Sequence, residues 1–179
     1  ALLSACPAAE DAMVVNNGAA ALVLATTALA SGREVVVSRG ELVEIGAGFR
    51  LPDLIESTGA VLREVGTTNR THLRDYAEGI GPATGCILKV HPSNFRVDGF
   101  TSAVGLGELS SLAAANGLPL VADLGSGLLA PDPHLPDEPF LTEEIPAPCT
   151  LPLPGEGKPV KTRPGGPHLP DPPWVTTGD

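Results

Sequence analysis

Aromatic residues make up only 3% of this 179-residue chain, although 42% of its residues are hydrophobic. We therefore predict a core built from Ala, Val and Leu side chains. No apolar run reaches the roughly 18 to 20 residues that a membrane-spanning helix needs. Positive charge is also scarce: the net charge of −10 argues against a broad nucleic-acid-binding surface, while leaving room for a local basic patch.

Cysteine is equally sparse. Cys6, Cys86 and Cys149 are an odd number, lie far apart and form no CxxC pair. This spacing predicts neither a disulfide framework nor a zinc site, and no cluster of His, Cys and Asp side chains suggests another metal. Such cysteine usage fits a reducing cytoplasm. The chain opens on Ala rather than Met, which we interpret as the sign of a fragment.

Proline divides the chain into two parts. Residues 1–130 contain 5 of the 19 prolines, and residues 131–179 contain the other 14. So many prolines are incompatible with a central strand or a helix interior, so residues 131–179 are predicted to form an irregular or extended tail.

Residues 1–130 alternate between helix and strand patterns, which predicts an α/β fold: a three-layer sandwich with a mostly parallel sheet and helices on both faces. The predicted strands are 34–38, 60–65, 85–91 and 118–124, and the predicted helices are 19–30, 52–59, 72–78 and 105–116.

Two segments have the chemistry of a cofactor site. Asn17, Gly18 and Ala19 open an Ala-rich helix, and free N–H groups at a helix N-terminus suit a phosphate. The alternative is a plain helix cap. Asp123 ends an apolar strand, where ligands bind in doubly wound sheets, and its carboxylate can keep a ring nitrogen protonated. The alternative for Asp123 is a cap on the following turn.

Other polar side chains follow strand ends. His91, Ser93 and Asn94 come after strand 85–91 and could contact a cofactor ring, or could serve only the turn around Pro92. The charges of the Ser38-Arg39-Gly40-Glu41 run could face the same site or lie in a solvated loop.

Long runs in residues 8–130 resemble bacterial selenocysteine synthases, a family of L-seryl-tRNA(Sec) selenium transferases. They include Val-Ser-Arg-Gly-Glu-Leu-Val-Glu-Ile-Gly (37–46), Glu-Val-Gly-Thr-Thr-Asn-Arg-Thr-His (64–72), Lys-Val-His (89–91) and Asp-Leu-Gly-Ser-Gly (123–127). The resemblance implies that residues 1–130 are part of the large domain of a fold-type-I pyridoxal-phosphate transferase. It implies that Asp123 keeps the ring nitrogen protonated and that residues 17–19 hold the phosphate. It also implies that His91, Ser93 and Ser126 bind the cofactor.

The family's cofactor-binding lysine lies downstream, in a Ser-Gly-Asp-Lys-Leu-Leu-Gly-Gly-Pro setting that this chain lacks. Lys158 falls near the expected place and is our candidate catalytic lysine. Lys161, closer to a Gly-Gly-Pro run, is a rival. We interpret the mismatch as corruption of the coding sequence beyond about residue 145, such as a frameshift.

The resemblance implies conversion of L-seryl-tRNA(Sec) to selenocysteinyl-tRNA(Sec) with selenophosphate, by a cytoplasmic, ring-shaped homo-oligomer without membrane or metal. Two alternatives stay open: a pyridoxal-phosphate lyase or desulfurase acting on a free amino acid, and a non-catalytic remnant. Because part of a larger sheet exposes an edge strand and helix faces, we also expect poor solubility of the chain alone.

Overall fold

The structure, a computed structural model, describes residues 13–45, 48–92, 95–125, 134, 152–154 and 159–160. Its helices are α1 (Gly18–Ala30), α2 (Leu51–Glu56), α3 (Leu73–Gly79) and α4 (Leu106–Ala115). Its strands are β1 (Met13–Val14), β2 (Glu34–Ser38), β3 (Glu44–Ile45), β4 (Phe49–Arg50), β5 (Val61–Val65), β6 (Thr84–Val90), β7 (Leu120–Gly125), β8 (Pro152–Pro154) and β9 (Pro159–Val160).

A five-stranded parallel sheet with the order β5-β2-β6-β7-β8 organises these elements. Val36 of β2 lies opposite Arg63 of β5 and beside Ile87 of β6, so β2 and β6 occupy the centre. Strands β3 and β4 form a small antiparallel pair, as do β1 and β9. The parallel order confirms the predicted α/β class.

Alternate residues of the central strands pack on opposite faces of the sheet. Val35, Val37 and Val121 belong to a core cluster with α1 and α2, whereas Val36 and Ile87 belong to a second cluster with α3 and α4. This alternation follows from the two-residue period of a strand. Two helices cover each face, which confirms the three-layer sandwich.

Helix α1 packs closely on the sheet because small residues meet there. A Cβ atom at Gly85 of β6 would lie 2.6 Å from the backbone oxygen of Leu29 and 2.8 Å from Cα of Ala30. Gly85 therefore lets the carboxyl end of α1 rest directly on β6.

The described part of residues 131–179 contributes two short strands. β8 extends the sheet beyond β7, and β9 pairs with β1. Both contain proline and both lie at a sheet edge, where proline is tolerated because no ladder N–H is needed on the open side. Within the described residues, no helix combines the length and the apolar character needed to cross a bilayer.

Candidate active site

The carboxyl edge of the parallel sheet carries the candidate residues that the structure describes, namely residues 17–19, His91 and Asp123. Residues 31–33 connect the end of α1 directly to the start of β2, so α1 runs antiparallel to the strands. Its 13 residues span about 20 Å, close to the length of the strands it covers. The N-terminus of α1 therefore lies at the same edge as the carboxyl ends of β2, β6 and β7.

Asn17 caps α1. Its backbone is extended, with φ −164°, and its Oδ1 accepts a hydrogen bond from the Ala20 amide at 2.8 Å. The first turn contains no acidic side chain, and Gly18 and Ala19 are small. The geometry thus confirms a helix cap at Asn17. It is compatible with a phosphate at the same N–H groups, and that contact stays a prediction.

Asp123 lies near the end of β7, opposite Val90 of β6. Val121, two residues earlier, packs in the cluster with α1, so the alternation of the strand places Asp123 on the α1 side of the sheet. Its Oδ1 accepts a hydrogen bond from the Gly125 amide at 2.9 Å. Burial raises the pKa of this carboxyl group, and the Gly125 hydrogen bond opposes that rise.

The Asp123 carboxyl group therefore caps its own turn, as one interpretation expected. It also faces the layer that holds the N-terminus of α1, as the other interpretation requires. One carboxylate can serve both purposes, because it has two oxygens and each accepts more than one hydrogen bond.

His91 follows β6 directly and is held next to Asp123 by the backbone. Its amide donates to the Asp123 carbonyl oxygen at 2.8 Å, which continues the β6–β7 ladder past the last strand residue. The structure thus brings His91 and Asp123 together. Ser93, Ser126 and Lys158 lie outside the described residues, as do Asn94 and Lys161, so their assignments stay predictions.

Sequence reasoning left Glu41 undecided and missed Lys89. Glu41 ends a 3-10 turn (Arg39–Glu41) after β2, and its side chain is only 10% exposed. Its Oε1 accepts from Lys89 Nζ at 2.5 Å, and its Oε2 accepts from the Val90 amide at 2.9 Å. Burial raises the pKa of Glu41, while the Lys89 charge and these hydrogen bonds lower it.

Arg39 of the same turn points outward instead. It pairs with Glu64 at 2.8 Å, and both side chains are more than 40% exposed. The loop is therefore part solvated and part buried. The sequence did contain a signal for the pair of Glu41 and Lys89: Lys89 is a charged residue within an otherwise apolar strand, and a buried ammonium group needs an anionic partner.

Solved structures share this fold. The chain resembles a D-glucosaminate-6-phosphate ammonia-lyase with a TM-score of 0.69 and 21% identity, over 87% of this chain and 44% of that one. It also resembles a Thermus thermophilus aspartate aminotransferase mutant with a TM-score of 0.59 and 22% identity, over 86% and 41% of the two chains. At such identities the likeness shows the fold alone, and it confirms a fold-type-I architecture.

Curated relatives are much more similar in sequence. An L-seryl-tRNA(Sec) selenium transferase from Solidesulfovibrio magneticus is 55% identical over 76% of this chain and 30% of its own length. One from Geobacter sulfurreducens is 59% identical over 72% of this chain and 28% of its own length. The chain therefore spans less than a third of the length of these relatives. The profile described as SelA, L-seryl-tRNA selenium transferase, matches residues 1–151, and the chain belongs to this family.

Proposed function

We propose that this chain is part of a pyridoxal-phosphate-dependent transferase that converts L-seryl-tRNA(Sec) to selenocysteinyl-tRNA(Sec). The seryl hydroxyl group would leave, and selenium from selenophosphate would take its place on the β-carbon, with release of phosphate. The observation that carries the proposal is the position of Asp123. A partly buried carboxyl group lies at the carboxyl edge of the sheet, on the same face as a helix whose N-terminus opens at that edge.

The residues present fit the cofactor. A pyridine nitrogen is more basic beside a carboxylate in a partly buried site, because the two opposite charges stabilise each other there. Burial has the largest influence on the pKa of Asp123 and raises it, which disfavours the carboxylate. A protonated ring nitrogen would supply a cation that favours the carboxylate, and Asp123 would keep the proton on that nitrogen.

The phosphate fits the other end of the same layer. The helix itself gives no partner to its first N–H groups, and its dipole makes that end positive. Asn17 leaves the end uncharged, and Gly18 and Ala19 leave room for a close approach. We propose that residues 17–19 bind the phosphate.

Pyridoxal phosphate, when bound, supplies an electron sink for the α-carbon of an amino acid. In our proposal this chain orients that group. Asp123 holds the ring-nitrogen proton, while His91, Ser93 and Ser126 contact the cofactor. Lys158 is the candidate for its covalent attachment. The relatives' names also support a seryl-tRNA substrate, and we extend the proposal to a ring-shaped homo-oligomer in the cytoplasm.

A non-catalytic remnant is the second candidate, and one observation favours it. The family match ends at residue 151, so neither Lys158 nor Lys161 lies in the matched region. A lyase or desulfurase acting on a free amino acid has weaker support, because the curated relatives at 55 to 59% identity are selenium transferases.

Titration of the purified chain with pyridoxal phosphate tests the proposal. A lysine that binds the cofactor covalently gives a visible absorbance band, which we expect to disappear in Lys158→Ala and to persist in Lys161→Ala. The reverse result would move the assignment to Lys161. A band in neither variant nor the parent chain would support the remnant.

A second arm tests Asp123. We expect Asp123→Asn to weaken cofactor binding, because a neutral amide does not stabilise a protonated ring nitrogen. Asp98→Asn is the matched control, since its side chain is 80% exposed. Selenium transfer should require charged tRNA, and equal activity on free serine would favour the lyase or desulfurase.

A further inference from the structure

Strand β6 continues for two residues beyond its last backbone pair with β2. The last registered pair between the two strands is Val37 with Leu88, so Lys89 and Val90 have no β2 residue opposite them. The Glu41 side chain occupies this position. Its two oxygens accept from the Lys89 ammonium group and the Val90 amide, at 2.5 and 2.9 Å. A carboxylate thus takes the place of the missing strand carbonyl.

The other side of β6 is held by β7. Val90 lies opposite Asp123, and the next amide, that of His91, donates to the Asp123 carbonyl oxygen at 2.8 Å. Two successive amides are therefore fixed from opposite sides, one by Glu41 and one by Asp123. The segment that enters the candidate site is clamped at the point where the strand ends.

We propose that Glu41 is a positioning residue: its carboxylate anchors the Val90 amide and thereby sets His91 against Asp123. Lys89 neutralises the charge that this anchor brings into the protein. The inference rests on the proposed function only in assigning His91 to the cofactor site. The clamp itself can be measured without cofactor.

The surroundings of Glu41 explain why its charge must be balanced. Tyr76 of α3 is fully buried, and its pKa is raised by burial and by the negative charge of Glu41. Ser38 and Thr71, which share a hydrogen bond of 2.7 Å, are buried too. Lys89 is the cation that contacts Glu41 in the described residues. A single charge deletion would leave an uncompensated ion there, so the test needs paired variants.

Two double variants isolate the acceptor. Glu41→Gln/Lys89→Met removes both charges and keeps an oxygen for the Val90 amide. Glu41→Met/Lys89→Met removes both charges and the oxygen, with similar side-chain volume. We expect amide hydrogen exchange at Val90 to be about tenfold faster in the second variant than in the first, the effect of one lost buried hydrogen bond. The His91 ring resonances should shift in the second variant and stay in place in the first.

Equal Val90 exchange in the two variants would overturn the proposal. So would faster exchange with unchanged His91 resonances, because the carboxylate would then stabilise the strand without positioning the site. If the Met/Met variant does not fold, Glu41→Asp withdraws the carboxylate by one methylene group and should show the same Val90 and His91 changes. Failure of the parent chain to bind pyridoxal phosphate would count against the proposed function, while the Val90 comparison would still decide the clamp.

Discussion

Replacement of Asn17 by Asp separates helix capping from phosphate binding. The Ala20 amide donates to the Asn17 side chain at 2.8 Å, and an Asp side chain at this position can accept the same hydrogen bond. Asn and Asp are both strong N-cap residues. Its negative charge also suits the positive end of the helix, which adds about 0.3 to 1 kcal/mol. If Asn17 is only a cap, Asn17→Asp should leave the chain as stable as before or slightly more stable, and should not affect the cofactor.

A phosphate at the same N-terminus would reverse the result for binding. One phosphate charge about 5 Å from the new carboxylate is repelled by about 1 to 3 kcal/mol, for an effective dielectric constant of about 80 down to 20. Since about 1.4 kcal/mol is a factor of ten, the Kd for pyridoxal phosphate should rise by about fivefold to about a hundredfold. Asn17→Ala should behave differently: it loses the cap, costs about 1 kcal/mol of folding stability and adds no repulsion.

Binding and stability are measured on the same samples, by absorbance titration with pyridoxal phosphate and by urea unfolding. Thr27→Asp is the control for charge, because Thr27 is exposed on the same helix, about 15 Å from the cap by the rise of an α-helix. We expect its Kd to stay near that of the parent chain. An unchanged Kd in Asn17→Asp would refute the phosphate site and leave Asn17 as a cap.

Three further predictions follow from burial and packing. Burial raises the pKa of Asp123, so the folded chain keeps a proton that the unfolded chain releases above about pH 4. The melting temperature of the cofactor-free chain should therefore fall as pH rises through this window, and Asp123→Asn should make that fall smaller, with the raised pKa of Glu41 accounting for part of what is left. In Gly85→Ala the new Cβ would lie 2.6 Å from the α1 backbone, so the free energy of unfolding measured in urea should fall by about 1 to 3 kcal/mol. Gly107→Ala on α4 is the control: its Cβ would meet no neighbouring atom within 4 Å, and the free energy of unfolding should rise by up to about 1 kcal/mol. Phe100 is 89% exposed and Val61 of edge strand β5 is 57% exposed, so light scattering should show self-association of the chain alone, and a soluble monomer that melts cooperatively would contradict this.

The parts of the fold that depend on local pattern were predictable. Helix 19–30 and strands 85–91 and 118–124 lie within two residues of α1, β6 and β7, because long apolar runs there end at Gly or a polar residue. The pair β3–β4 was missed, since strands of two residues are too short to show a period.

In the site, too, features set by local sequence pattern were predictable and features set by pairing between strands were not. Asp123 was found because it follows the apolar residues 120–122 near the end of a strand, which places it close to the carboxyl edge of the sheet. The burial of Glu41 was not predictable from its neighbours. It depends on the register between β2 and β6, which brings Glu41 to a lysine 48 residues away. Sequence patterns indicate which residues end a strand, whereas pairing between strands decides which loop side chain becomes buried.

The prolines of β8 and the candidate lysine, Lys158, lie in the same segment, just beyond the family match. The family match ends at residue 151, and strand β8, which pairs with β7 beside Asp123, begins at Pro152. Lys158 follows six residues later. A proline-containing strand has fewer N–H groups to offer β7, and proline in sheets is confined to edges. A shifted reading frame beyond about residue 145 would account for both the prolines and the unmatched lysine. Resequencing should then reveal a frame that encodes a proline-poor strand after Asp123 and a lysine before a Gly-Gly-Pro run, whereas an unchanged tail would make the remnant the better description of this chain.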